Sequence, residues 1–128
     1  MGRKRVVIVE DDSILSQTID ICLSKKGHDV KVCYSGVDAV KYLFGEKPDL
    51  IMLDIRLPDC DGWFIAKLLE KLEGLAKITV IVISVVDPDR REINEIKPYA
   101  YIQKPFDMGQ LVQTVERSLG AESPLIAA

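Results

Sequence analysis

Histidine is almost missing from this 128-residue chain: His28 stands alone, and the three cysteines Cys22, Cys33 and Cys60 share no close CxxC spacing. Zinc needs several such ligands at short spacing, so a zinc site is excluded. Cys22 and Cys33 fall within apolar patterns and are expected as small core fillers. Cys60 lies in a loop, where exposure would make it an oxidation liability rather than a catalyst. Long hydrophobic runs are also missing. No stretch approaches the roughly 20 apolar residues that cross a bilayer, and the start lacks the apolar core of a secretion signal, so the expected location is the cytoplasm. A basic surplus is absent: the net charge of −3 gives no general attraction to polyanions, which leaves direct binding to nucleic acid or anionic membranes without electrostatic support. The cluster Arg3-Lys4-Arg5 reads as a solvated lead-in to a strand rather than a nucleic-acid arm. Aromatics make up 6% against 48% apolar residues overall, so the core is aliphatic and large enough for one domain.

What is present is a regular alternation of two periods. Val6-Val7-Ile8-Val9, Leu50 to Leu53 and Ile78 to Ile83 are short apolar runs without alternation, the pattern of strands buried on both faces. Asp29 to Tyr34 is a weaker run, and Tyr99 to Gln103 is a fifth, bounded by Pro98. Between them the period is helical. Ile14, Leu15, Thr18, Ile19, Cys22 and Leu23 mark one apolar face, ended by Lys25-Lys26-Gly27. The second helix is expected from Gly36 to Phe44. The third runs from Gly62 to Leu72 with Asp61 as N-cap, and the fifth from Asp107, its cap, to Leu119, with Gly120 beyond. Asp87-Pro88 opens a weak fourth helix anchored only by Ile93 and Ile96, which is expected to be short or mobile. Five strand–helix alternations predict an α/β domain with one parallel sheet and helices on both faces.

In such sheets the functional site lies at the carboxyl ends of the strands, at a switch in strand order. There the first strand delivers Glu10-Asp11-Asp12, the third Asp54, the fourth Ser84 and the fifth Lys104-Pro105. Carboxylates so gathered repel one another unless a cation joins them. Mg²⁺ takes oxygen ligands and is usually held by one or two carboxylates plus phosphate oxygens, so Asp11 and Asp54 are candidate ligands, with Glu10 acting through water and the backbone carbonyl of Arg56 completing the set. An aspartate can also act as a nucleophile and become an acyl phosphate, with metal and ammonium neutralising the transferring oxygens. Asp54 fits that role, Lys104 supplies the ammonium, and Ser84 a hydroxyl for a phosphate oxygen. Each residue alone has a plain alternative: N-capping for Glu10-Asp11-Asp12, a turn cap for Asp54, a strand-end hydroxyl for Ser84, a surface lysine for Lys104. Four such accidents in this order at successive strand ends are improbable together.

The segments Val9-Glu10-Asp11-Asp12, Asp54-Ile55-Arg56-Leu57-Pro58 with Gly62, Val82-Ile83-Ser84 and Tyr101-Ile102-Gln103-Lys104-Pro105-Phe106 resemble the receiver domain of two-component response regulators over about residues 4 to 119. The resemblance implies a flavodoxin-like, doubly wound five-stranded sheet of order 2-1-3-4-5. It implies that Asp54 is the phosphoacceptor, served by a sensor histidine kinase or phosphotransfer protein, and that Asp11 binds Mg²⁺ directly and Glu10 through water. Ser84 would be the switch hydroxyl, Lys104 the phosphate-binding lysine, Tyr101 the switch aromatic, and Pro105 would follow Lys104 in the cis form. The surface of the fourth helix, fifth strand and fifth helix would meet an output domain or partner protein, or form a phosphorylation-linked dimer. Tyr101 as a plain core aromatic is the alternative reading of that residue.

Some positions depart from the family pattern. Val85 replaces a small residue and is expected to restrict access to Asp54. Val86 can neither orient nor attract an attacking water, which predicts slow hydrolysis. The stretch from Ser84 to Lys104 is short, and Lys97-Pro98-Tyr99-Ala100 replaces a glycine-alanine turn. Competing readings are a degenerate receiver used as a constitutive interaction module and an aspartate-dependent phosphohydrolase; the latter would favour an acid where Arg56 stands. A flavodoxin-like cofactor binder is disfavoured because Glu10-Asp11-Asp12 would repel a phosphate. Residues 120–128 read as a tail or a linker to an output domain.

Overall fold

The computed structural model describes residues 3–71 and 78–120. Five strands, β1 (Arg5–Val9), β2 (Asp29–Cys33), β3 (Leu50–Asp54), β4 (Thr79–Ser84) and β5 (Ala100–Gln103), alternate with five helices. These are α1 (Ser13–Lys25), α2 (Gly36–Gly45), α3 (Gly62–Lys71), α4 (Arg90–Ile96) and α5 (Met108–Ser118). The strands form one parallel sheet in the order β2-β1-β3-β4-β5. Order reverses between β1 and β3, so the crevice at their carboxyl ends lies between Glu10-Asp11 and Asp54.

The unalternating apolar runs become central strands because both faces are covered. Val7, Val9, Ile51, Leu53 and Val82 pack with Ala39, Leu43, Ile65, Leu69 and Ile96, the side of α2, α3 and α4. Val6, Ile8, Leu50, Met52, Ile81 and Ile83 pack with Ile19, Leu23, Leu111 and Val115, the side of α1 and α5. Burying each such aliphatic side chain contributes roughly 2 kcal/mol. That rigid double core fixes where the strand ends point. Asp12, Ser35, Asp89 and Asp107 cap α1, α2, α4 and α5 by accepting amide hydrogens of the first turn. Asp61 does the same for the Trp63 amide at 2.9 Å, where α3 begins.

Several sequence expectations shift. Ile14 is 79% exposed and Thr18 is exposed, so the apolar face of α1 starts at Leu15. Cys22 is half-buried rather than a core filler, whereas Cys33 is buried; Cys60 is half-buried. Tyr34 falls beyond β2, Ile78 lies buried just ahead of β4, and Tyr99 stands exposed before β5. Leu72, the expected end of α3, lies outside the described residues. The cap of α4 is Asp89 rather than Asp87-Pro88, because its carboxylate reaches the Arg91 and Glu92 amides. Short α4 is as expected. It closes on Lys97 at φ 54, left-handed backbone that costs a non-glycine residue roughly 1 kcal/mol and that Pro98 further disfavours.

Candidate functional site

The strand ends bring the acidic residues together. Glu10 leaves β1 with its amide bonded to the Cys33 carbonyl and is 1% exposed; Asp54 ends β3 at 4%. Asp11 is exposed, and carboxylate oxygens of Glu10, Asp11 and Asp54 lie within 4.8 Å of one another. Asp12 turns away to cap α1, so N-capping accounts for one acid of this run and leaves the other two for the crevice.

Lys104 follows β5, with its amide bonded to the Ser84 carbonyl and a cis peptide to Pro105. Its ammonium donates to Glu10 Oε1 at 2.7 Å and to Asp54 Oδ2 at 2.9 Å. The other Asp54 oxygen, Oδ1, accepts the Arg56 amide at 2.9 Å. Burial pushes the Glu10 carboxyl above its ordinary 4.5; hydrogen bonds from Lys104 and the Asp12 amide oppose this, and the nearby Asp54 charge adds to it. Burial by itself would lower Lys104, but the bonds to Glu10 and Asp54 outweigh it and hold the ammonium above 10.5. One ammonium faces three carboxylates, so the site keeps an excess of negative oxygen donors. That donor set, all oxygen and only partly neutralised, fits a hard divalent cation such as Mg²⁺.

Ser84 is fully buried, and its Oγ accepts the Val86 amide at 3.2 Å. Tyr101 is half-buried, donates its hydroxyl to the Val86 carbonyl at 2.8 Å, and sets its ring 6.4 Å from that of Trp63. Ser84 and Tyr101 therefore meet at one loop residue. Val85 is 57% exposed, and the Arg56 side chain is exposed.

Sequence reasoning missed two supports of the Asp54 loop. Asp59 accepts the Gly36 and Val37 amides, each at 2.8 Å, and those two bonds hold its carboxyl below the ordinary 3.8. The loop after β3 is thereby tied to the start of α2. The second support is Gly62. A Cβ there would stand 2.3 Å from the Asp54 carbonyl oxygen and 2.8 Å from Ile55 Cα, so only glycine lets α3 begin against the end of β3. The first contact spans more than 20 positions of sequence, and the second needs the backbone path; neither leaves a local signal.

Comparison with known proteins agrees with this architecture. The family model described as "Response regulator receiver domain" matches residues 6–116. A CheY-like response regulator receiver domain protein from Methanospirillum hungatei JF-1 is similar at 22% identity and TM-score 0.85, over 92% of this chain and 94% of that one. The receiver domain of Francisella response regulator 1452 is similar at 26% identity and TM-score 0.80, over 91% and 97%. The receiver domain of the sensor histidine kinase PA1611 from Pseudomonas aeruginosa PAO1, solved with a magnesium ion coordinated in the active site cleft, is similar at 24% identity and TM-score 0.81, over 93% and 99%. Among the described residues no helix is long and apolar enough to cross a membrane. The chain belongs to the response regulator receiver domain family, the signalling domains of two-component systems.

Proposed function

We propose that Asp54 takes up a phosphoryl group from a histidine kinase or phosphotransfer protein in the cytoplasm and that the modified domain signals through its α4-β5-α5 face. The observation that carries this is the buried Asp54 carboxylate, held by Lys104 on one oxygen and the Arg56 amide on the other, beside Glu10 and Asp11. An Asp54 oxygen attacks phosphorus, the bond from phosphorus to the donor nitrogen breaks, and that nitrogen keeps the electron pair. Lys104 then follows the new charge onto the phosphoryl oxygens. Asp11, Asp54 and the Arg56 carbonyl, with Glu10 through water, are the groups that would hold Mg²⁺, and the bound ion would neutralise part of the phosphoryl charge. The magnesium-bound Pseudomonas relative supports that assignment.

The modification adds about −1.5 to −2 charge and three acceptor oxygens. Ser84 turns its hydroxyl from the Val86 amide toward them, the loop at Val86 moves, and Tyr101 loses its present partner and rotates inward. The face so altered meets an output domain, a partner protein or a second phosphorylated copy. The domain catalyses only its own phosphorylation and dephosphorylation, and Val86 makes the second step slow. Mg²⁺ and acetyl phosphate should add one phosphoryl mass to the wild type and none to Asp54→Ala. An unmodified wild type, or equal modification of the variant, would overturn the reading.

A further inference from the structure

The part of the output face held least firmly is α4. It has seven residues, well below the length at which an isolated helix persists in water, and Ile96 is its one buried residue. Glu92 and Glu95 lie three positions apart on it, a spacing that sets like charges side by side. Both face the same cation: Lys67 of α3 places Nζ 3.1 Å from Glu92 Oε1 and 3.7 Å from Glu95 Oε1. The Lys67 and Glu92 side chains are 37% and 24% exposed, which alone would make the contact a weak surface pair. Glu92 Oε1, however, is itself buried and has no aligned hydrogen-bond donor among the described residues. The Lys67 charge is what compensates it, and a buried carboxylate oxygen without compensation is costly. The Lys67 ammonium is correspondingly favoured, mainly by Glu92, which raises it above 10.5.

Lys67 also sits on the helix seated against the phosphoacceptor. The Gly62 amide donates to the Ile55 carbonyl at 2.8 Å, and Gly62 leaves no room for a side chain beside Asp54. Five residues of α-helix carry that fixed point roughly 7.5 Å along the axis to Lys67. A continuous path therefore runs from the end of β3 through α3 to α4.

We infer that Lys67 is a positioning residue of the switch: shared between Glu92 and Glu95, it clasps α4 to α3 in the arrangement where Ser84 and Tyr101 hold Val86, and the clasp must loosen for that loop to move. The inference rests on phosphorylation at Asp54 and adds to it an element that sets how readily the modification is transmitted. If breaking the clasp removes a cost from the phosphorylated arrangement, linkage requires that the chain bind a phosphoryl mimic more tightly by the same factor.

The full chain is compared as wild type, Lys67→Met and Lys67→Arg, with amide exchange along α4 and affinity for beryllofluoride in the presence of Mg²⁺ as readouts. Lys67→Met should speed exchange of the Ile93 and Lys97 amides and bind beryllofluoride about five-fold more tightly, while Lys67→Arg restores both to wild type. Faster exchange with unchanged beryllofluoride affinity overturns the coupling and leaves a structural tie. Unchanged exchange overturns the clasp itself. A wild type that binds no beryllofluoride overturns the assignment of Asp54, and the coupling falls with it, an outcome distinct from the other two.

Discussion

Among the described residues, buried ionisable side chains gather at the two opposite ends of the sheet, and the two gatherings are built differently. At the carboxyl ends, Glu10 and Asp54 share Lys104 with exposed Asp11 alongside, three carboxylates against one ammonium. At the amino end of β2, His28 meets Glu116 of α5 at 2.5 Å, one base against one acid, with side chains only 6% and 10% exposed. The second group is closed and matched, joining the chain between α1 and β2 to α5. The first is unmatched and open on the Asp11 side. A buried pair in balance is a structural tie, whereas surplus charge kept at the lip of a core is retained for something that arrives.

The contrast breaks most visibly at Lys104. Lys104→Ala removes the ammonium from the unmatched site and should slow phosphoryl uptake from acetyl phosphate by about 100-fold, the scale of losing one preorganised charge-stabilising donor. Mg²⁺ should bind somewhat more tightly to the same variant, because three carboxylates then face the ion without a competing cation. Both are read on one preparation, by phosphoryl mass against time and by metal titration. A parallel fall in metal affinity would show that Lys104 merely holds the carboxylates in place.

Glu116→Ala tests the matched end. It leaves His28 buried, without its acid and with Nδ1 already unpartnered among the described residues. Unfolding in urea should show a loss of about 2 kcal/mol, the scale of leaving a buried ring nitrogen without its hydrogen-bond partner. Phosphoryl uptake below the unfolding transition should be unchanged. A variant as stable as wild type, or one with altered uptake, would remove the distinction between the two ends.

These two ends were unequally legible in the sequence. Glu10, Asp11, Asp54 and Lys104 stood out because each ends an apolar strand, and parallel pairing necessarily brings such ends together. His28 and Glu116 lie 88 positions apart, and Glu116 sits in a helix whose apolar spacing is satisfied by Leu111 and Val115. Nothing local marks it as buried. Lys67, Glu92 and Glu95 read as ordinary helix-surface charges for the same reason. Ile14 misled in the opposite direction: its spacing suits the apolar face of α1, but it stands in the first turn, where the helix projects past the core beside the exposed crevice residues. Periodicity reports the face of a helix, and tertiary placement decides how far along that face the core extends.

Gly62→Ala strikes the functional end through its backbone. The added carbon would meet the carbonyl of Asp54 and the Cα of Ile55, neither of which can step aside as a flexible side chain would. About 2 kcal/mol of stability should be lost, the usual scale of overpacking, and phosphoryl uptake should fall about ten-fold as Asp54 is displaced. A stability loss with uptake intact would show that the end of β3 yields without disturbing its carboxylate.

The mildest effect is expected at Asp59, and pH gives its sign. Its carboxyl is held below 3.8 by the Gly36 and Val37 amides, so ionised Asp59 favours the folded chain. That contribution is fully present above 3.8 and disappears as pH falls through the lower folded value. Glu10 works in the opposite sense: burial raises its carboxyl above 4.5, so proton uptake on acidification favours the folded chain over the unfolded one. The stability difference between wild type and Asp59→Ala, measured without Mg²⁺ in a Glu10→Gln background, should be level at neutral pH and shrink below 3.8. A difference independent of pH would mean that Asp59 orders the loop by its shape. A difference that grows on acidification would mean that the α2 amides are not its partners in solution.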